Sequence, residues 1–148
     1  MPQFVILQHD SLQGSHYDLM LEVGEVLRTY SKTAEKVSHG REIPNCQQVL
    51  GSALKTWSLP QSPEANREMT CQALPDHRLA YLDYEGPISD GRGSVARWDQ
   101  GMYQTVEQTS MRWVIELHGA KLDGRTTLAQ QGTDTTEWTL LYVPQTSP

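Results

Sequence analysis

His9, His16 and Asp18 stand close together near the N-terminus and offer two imidazole nitrogens and one carboxylate, a donor set that suits Mn²⁺, Fe²⁺ or Zn²⁺ and leaves positions open for water or substrate. If Ser15–Val23 is a strand, His16, Asp18, Met20 and Glu22 share one face and Tyr17, Leu19, Leu21 and Val23 share the other, because side chains alternate along extended backbone. His9 ends the preceding segment and needs only a hairpin across Asp10–Gly14 to reach that polar face. The same spacing also fits a plain hairpin whose histidines and aspartate merely cap or hydrogen-bond the turn. A third histidine, His77, follows Pro75-Asp76 and opens HRLAYLDYEG. It fits a metal ligand, a phosphate contact, a general acid or a histidine with a purely structural bond.

The elements that must position these groups read as short strands punctuated by Gly, Pro, Asn and Asp, with little sustained helical period. Strands are expected at Gln3–Gln8, Ser15–Val23, Val26–Ser31, Lys55–Leu59, Leu79–Tyr84, Ser94–Trp98, Met102–Gln108, Arg112–His118, Thr126–Ala129 and Glu137–Val143. EVGEV, DGRG, DQG and LDGR supply turn chemistry between them. The stretches from Lys32 to Ala53 and from Gln61 to Gln72 break the pattern, and each is a place for a short helix or a loop. The expected architecture is mainly β, a compact closed or partly closed β-barrel with one or two short surface helices.

A length of 148 residues fits one domain, 1–148. Hydrophobic residues at 37% and charged residues at 20% exclude a disordered chain, and with one Phe the aromatic packing falls to six Tyr and four Trp. Trp57, Trp98, Trp113 and Trp138 are expected in the core rather than as base-stacking platforms. A net charge of −6 excludes a protein that coats duplex nucleic acid through a broad basic face. The N-terminus MPQFVILQHD lacks the features of a signal peptide or a membrane span, which predicts a cytoplasmic protein with no membrane partner. Cys46 and Cys71 are expected to be reduced structural residues.

FVILQHD, HYDLMLE, LKTWSLP, DHRLAYLDYEGPISDGRG, RWDQG, ELHGAKLDGR and WTLLYV follow one another from about Phe4 to Val143. This ordered set resembles the 3′-phosphoesterase family associated with bacterial DNA ligase D. The resemblance implies a β-barrel and a metal-dependent, typically Mn²⁺-dependent, enzyme that removes a 3′-terminal ribonucleoside and then the remaining 3′-phosphate from DNA or RNA–DNA 3′ ends. It also implies work alongside ligase and polymerase end-joining proteins, supplied in trans. His9, His16 and Asp18 match the family's metal ligands, and His77 and Tyr81 match its downstream active-site histidine and tyrosine.

The chain also departs from that pattern. Met20 replaces an arginine two residues after the metal-binding aspartate, so a bidentate phosphate clamp is missing there. Pro75 replaces a glutamate two residues before His77, and an upstream arginine falls at Met69 unless Arg67 takes its place. The spacing from His9 to His16 is one residue longer than in the best-known members. Arg92, Arg67 and Arg78 are candidate phosphate contacts, Arg97 is a further possible replacement for the missing clamp, and Glu85 is a candidate anchor of its turn. Two other readings are open. One is a barrel that binds metal and a nucleic-acid end without catalysis; the other is a cupin-like metal enzyme in which Glu22 and His118 complete the ligand set.

Overall fold

A computed structural model of the chain describes residues 2–29, 48–88, 92–133 and 135–145. Nine strands run in the order β1 (Gln3–Ser11), β2 (Gly14–Thr29), β3 (Gln48–Leu59), β4 (Glu68–His77), β5 (Gly86–Pro87), β6 (Ser94–Gln108), β7 (Arg112–Gly119), β8 (Asp123–Gln130) and β9 (Glu137–Pro144). Each is antiparallel to its neighbours, in the order β1-β2-β3-β4-β9-β8-β7-β6, and β1 pairs back onto β6. Eight strands therefore close a ring, with β5 added beside β6. The mainly β, closed-sheet expectation holds.

The helices do not follow. Among the described residues the sole helical element is a 3₁₀ turn at Leu79–Leu82, inside a segment expected to be a strand. The stretch 61–72 is a loop that runs into β4, and Gln48 already belongs to β3; residues 32–47, Cys46 among them, lie outside the described residues. Two expected turns are irregularities within long strands. EVGEV lies in β2, where the register against β3 shifts between Val23 and Val26, and DQG lies in β6, where the register against β1 shifts between Ile6 and Leu7. Glycine here permits bulges and close strand approach instead of chain reversal: a Cβ at Gly101 would lie 2.0 Å from the His118 carbonyl oxygen.

The ring interior is filled by Phe4, Ile6, Leu19, Leu21, Trp57 and partners from every other long strand. Trp113 and Trp138 meet the Trp57 ring edge-on at centroid distances of 6.0 and 5.6 Å, a geometry aromatic rings favour. Cys71 is buried here, and that burial pushes its thiol up to about 12. A second apolar cluster lies on the other side of the same strands: Val5, Leu7, Met20, Leu54 and Val95 are covered by Leu82, with Tyr81 and Ile88 packed against them. Residues 78–88 thus form a strap over the outer face of β1, β2 and β3. The strap is tied down where Glu85 accepts the Arg97 backbone N–H at 2.7 Å and where Gln100 Nε2 donates to the Leu82 carbonyl at 3.2 Å. Glu85 is the anchor the sequence suggested.

Asp99, almost completely buried on β6, holds the β7–β8 turn. Its carboxylate accepts the backbone N–H groups of Gln100, Ala120 and Lys121 on Oδ1 and of Leu122 on Oδ2, at 2.8–3.1 Å. A carboxylate is acceptor-only and meets all four donors, whereas an amide turns one oxygen into a donor facing donors. Asp99→Asn is expected to cost on the order of 3 kcal/mol, a fall in Tm of roughly 6–12 °C for a domain of this size, measured by thermal unfolding.

Candidate metal centre

β1 and β2 are joined by a two-residue turn, Leu12-Gln13, between the paired residues Ser11 and Gly14. Gly14 takes φ +120°, the Ser11 hydroxyl donates to the Gly14 carbonyl, and the Gln13 N–H donates to the Ser11 hydroxyl. This turn fixes a register in which His9 faces His16 and Leu7 faces Asp18. Because β2 alternates, Leu19 and Leu21 enter the ring interior while Asp18 and Met20 face the strap.

His9 Nδ1 lies 3.2 Å from His16 Nε2 and 3.9 Å from Asp18 Oδ2, and His16 Nε2 lies 3.2 Å from Asp18 Oδ1. One donor atom from each residue falls within 4.8 Å of the others. The remaining ring nitrogen of His9 settles its tautomer: Nε2 is 2.7 Å from the Arg92 carbonyl oxygen, which can only accept, so Nε2 carries the proton. The Nδ1 lone pair then faces His16 and Asp18, an orientation typical of ligating histidines. Gly93 makes that bond possible. It takes φ +96°, and a Cβ there would sit 2.0 Å from the Asp10 carbonyl oxygen, so any side chain would push the Arg92 carbonyl away from His9.

Asp18 is the buried member of the trio, and Oδ1 has no well-aligned hydrogen bond despite its nearness to His16. Burial pushes its carboxyl above the ordinary carboxylate range, with His16, His9 and His77 pulling it partly back. A bare imidazole lone pair and a desolvated carboxylate converging on one point repel each other unless a cation or proton lies between them. The residues present therefore fit a divalent cation.

His77 ends β4 and shares a recess of about 100 Å³ with His9, Asp18, Met20, Tyr81 and Arg92. Its Nδ1–H donates to the Pro75 carbonyl at 3.0 Å, which leaves Nε2 as the other ring nitrogen, outside that bond. The Tyr81 ring meets it edge-on at 5.6 Å. Pro75 thus orients the histidine through its backbone, although it lacks the carboxylate of the family pattern. Met20 is buried among Val5, Leu7, Leu54, Leu82 and Val95, so its position is packed as apolar core.

Of the candidate phosphate contacts, Arg92 lines this recess and Arg78 lines the adjoining one beside Tyr81. Arg67 does not join them: it precedes β4, at the opposite end of that strand from His77, and pairs with Glu64 at 3.3 Å. Met69 points into the ring interior, and Arg97 lines neither recess. His118 lies on β7 with Asp123 at 3.4 Å, and Glu22 accepts the Gln3 backbone N–H, so neither meets the trio and the cupin-like ligand set is not assembled. The Arg92 carbonyl and the tyrosine and arginine recess were missed in the sequence, since backbone acceptors and surface concavities leave no residue-type signature.

Residues 47–130, more than half of the chain, match the family described as the DNA Ligase D 3′-phosphoesterase domain. That span takes in His77 and Tyr81 and begins after the trio. Among curated proteins, the multifunctional non-homologous end joining protein LigD of Mycolicibacterium smegmatis is 28% identical over 142 residues, covering 86% of this chain and 15% of that protein. Its Pseudomonas aeruginosa namesake is 32% identical over 89 residues, 51% of this chain and 10% of that protein. The chain thus matches a small part of either relative's length, and within that part it belongs to the DNA ligase D 3′-phosphoesterase domain family.

Proposed function

We propose that this protein trims the 3′ ends of DNA or RNA–DNA strands for end joining, removing a 3′-terminal ribonucleoside and then a 3′-phosphate, with a divalent cation, Mn²⁺ in preference to Zn²⁺, held by His9, His16 and Asp18. One observation carries the reading: His9, His16 and Asp18 converge, and two of them, His9 and Asp18, line a recess together with His77 at the end of β4 and Tyr81 on the strap. A cation bound there would neutralise charge on a phosphoryl oxygen and lower the pKa of a bound water. His77 Nε2 is placed to hold a proton for the departing oxygen, O5′ of the nucleoside in the first step and O3′ of the strand in the second. The Tyr81 hydroxyl supports the phosphate. Family membership and the end-joining relatives supply the substrate class.

A second reading keeps the metal and the nucleic-acid end but not the turnover, and Met20 favours it: the position that carries a phosphate-clamping arginine in the family is apolar here. Incubation with Mn²⁺ and two primers, one ending in a ribonucleotide and one in a 3′-phosphate, decides between them. Trimming that is abolished by chelation and reduced about 10²-fold or more by His77→Ala supports hydrolysis. Binding of the 3′-phosphate end without product supports the second reading.

Two further outcomes follow from the geometry of the ligands. Gly93→Ala is expected to weaken Mn²⁺ binding roughly 10- to 100-fold by breaking the His9–Arg92 bond, read by calorimetric titration with circular dichroism as the check on folding. Asp18→Asn is expected to abolish that binding yet raise the Tm of the metal-free protein. The folded-state pKa of Asp18 lies above its ordinary 3.8, so the ionised form is disfavoured by folding. That cost is absent below pH 3.8 and grows as pH rises from there through the folded value. Thermal unfolding in chelator should therefore show the gain, about 2–4 °C for each kcal/mol relieved, at pH 7 and not at pH 3.

A further inference from the structure

The metal centre lies midway along a groove whose two ends differ in chemistry. The central recess shares His9 and Arg92 with a larger one of about 610 Å³ under the β1–β2 turn, and shares Tyr81, Ile88 and Arg92 with one of about 310 Å³ beneath the strap. Beyond those shared residues, the turn arm is lined by Ser11, Leu12, Gln13, Gly14, Ser15 and His16. Leu12 is fully exposed at its rim. Asp10 flanks this arm, its carboxylate held by the Ser15 hydroxyl at 2.5 Å and by Gln8 Nε2 at 3.3 Å, so the local field opposes phosphate.

The strap arm is the reverse. Arg78 joins Arg92 there, and the rings of Tyr81 and Tyr84 meet edge-on at 5.9 Å. The Tyr84 hydroxyl donates to the Pro87 carbonyl, which locks the ring while more than a third of the residue stays exposed. A cation beside a fixed, exposed aromatic face is the combination that holds a nucleotide's phosphate and base together. Asp83 and Glu85 are close in sequence but do not line the arm, and the Glu85 carboxylate is occupied by the Arg97 N–H.

We infer that the groove has a polarity: the retained strand runs along the strap arm, with its penultimate phosphate on Arg78 and a base against Tyr84, while the departing terminal nucleoside occupies the turn arm, which is lined by Arg92 but by no second arginine. This rests on the proposed 3′-end chemistry, since it takes the terminal phosphate to lie at the trio. A retained strand is polyanionic and a departing nucleoside is uncharged, so the two arms match the two products of the first cleavage. The turn arm falls within the size range of small-molecule sites.

The polarity is tested by calorimetric binding of 3′-phosphorylated DNA of one, two and three nucleotides to the Mn²⁺-loaded protein. Affinity should rise about tenfold between one and two nucleotides, when the penultimate phosphate is added, and Arg78→Ala should remove most of that increment. A wild type without the increment, or an Arg78→Ala protein that keeps it, overturns the inference. So does an equal loss for all three lengths. A second readout is the ratio of ribonucleoside removal to 3′-phosphate removal, which Leu12→Ser should lower several-fold, the exposed position making misfolding a minor concern; a ratio that does not move counts against the turn arm as the nucleoside's seat. The binding series needs no turnover, so an inactive protein that shows the increment and loses it with Arg78→Ala retains the polarity and discards the hydrolytic reading.

Discussion

The register of the β1–β2 hairpin is the constraint on which the rest of the molecule depends. With Ser11 opposite Gly14, His9 comes opposite His16, and every residue of both strands is assigned a face. A slip of one residue would turn Asp18 and Met20 into the ring and Leu19 and Leu21 out toward the strap. It would bury a carboxylate among aromatic rings, so the packing that stabilises the fold and the geometry that gathers His9, His16 and Asp18 select the same pairing. The turn that sets this register is held by local hydrogen bonds around Ser11 and by the positive φ of Gly14.

Both faces of β1 and β2 are used. Phe4 and Ile6 fill the interior, while Val5 and Leu7 lie under the strap, and all four are inaccessible to solvent. Strands buried on both sides hold their side chains in single rotamers, a condition for placing ligands within fractions of an ångström. The strap needs that second apolar surface to dock, and docking sets Tyr81 beside His77, which β4 holds in place. Met20 belongs to this contact, so the residue that removes a phosphate clamp also helps seat the other half of the site.

Much of this was legible in the chain. Strict alternation through Ser15–Val23 gave the faces of β2, and Asp10–Gly14 gave the hairpin that brings His9 across. The tryptophans lie in or against the core, as their positions in strand segments suggested. What the sequence hid were the places where one local pattern has two tertiary outcomes. HRLAYLDYEG alternates like a strand, yet its backbone turns into a 3₁₀ segment because Leu82 and Tyr81 are wanted on one underlying cluster. EVGEV and DQG carry turn residues, yet ladder pairing, with β3 for EVGEV and with β1 and β7 for DQG, keeps the strands running through them. Arg67 and Arg78 were equal as sequence candidates, and only the course of β4 separates them, because its two ends lie on different sides of the molecule.

The bond from His9 to the Arg92 carbonyl joins residues 83 positions apart. His9, His16 and Asp18 meet through a hairpin, a local event that forms in microseconds. The partner that fixes the His9 tautomer arrives only when β6 pairs with β1. Until that pairing forms, the three groups are a loosely aimed cluster. The aim of the His9 imidazole is thus a product of long-range strand pairing, and a hairpin without β6 beside it would leave that ring free to turn.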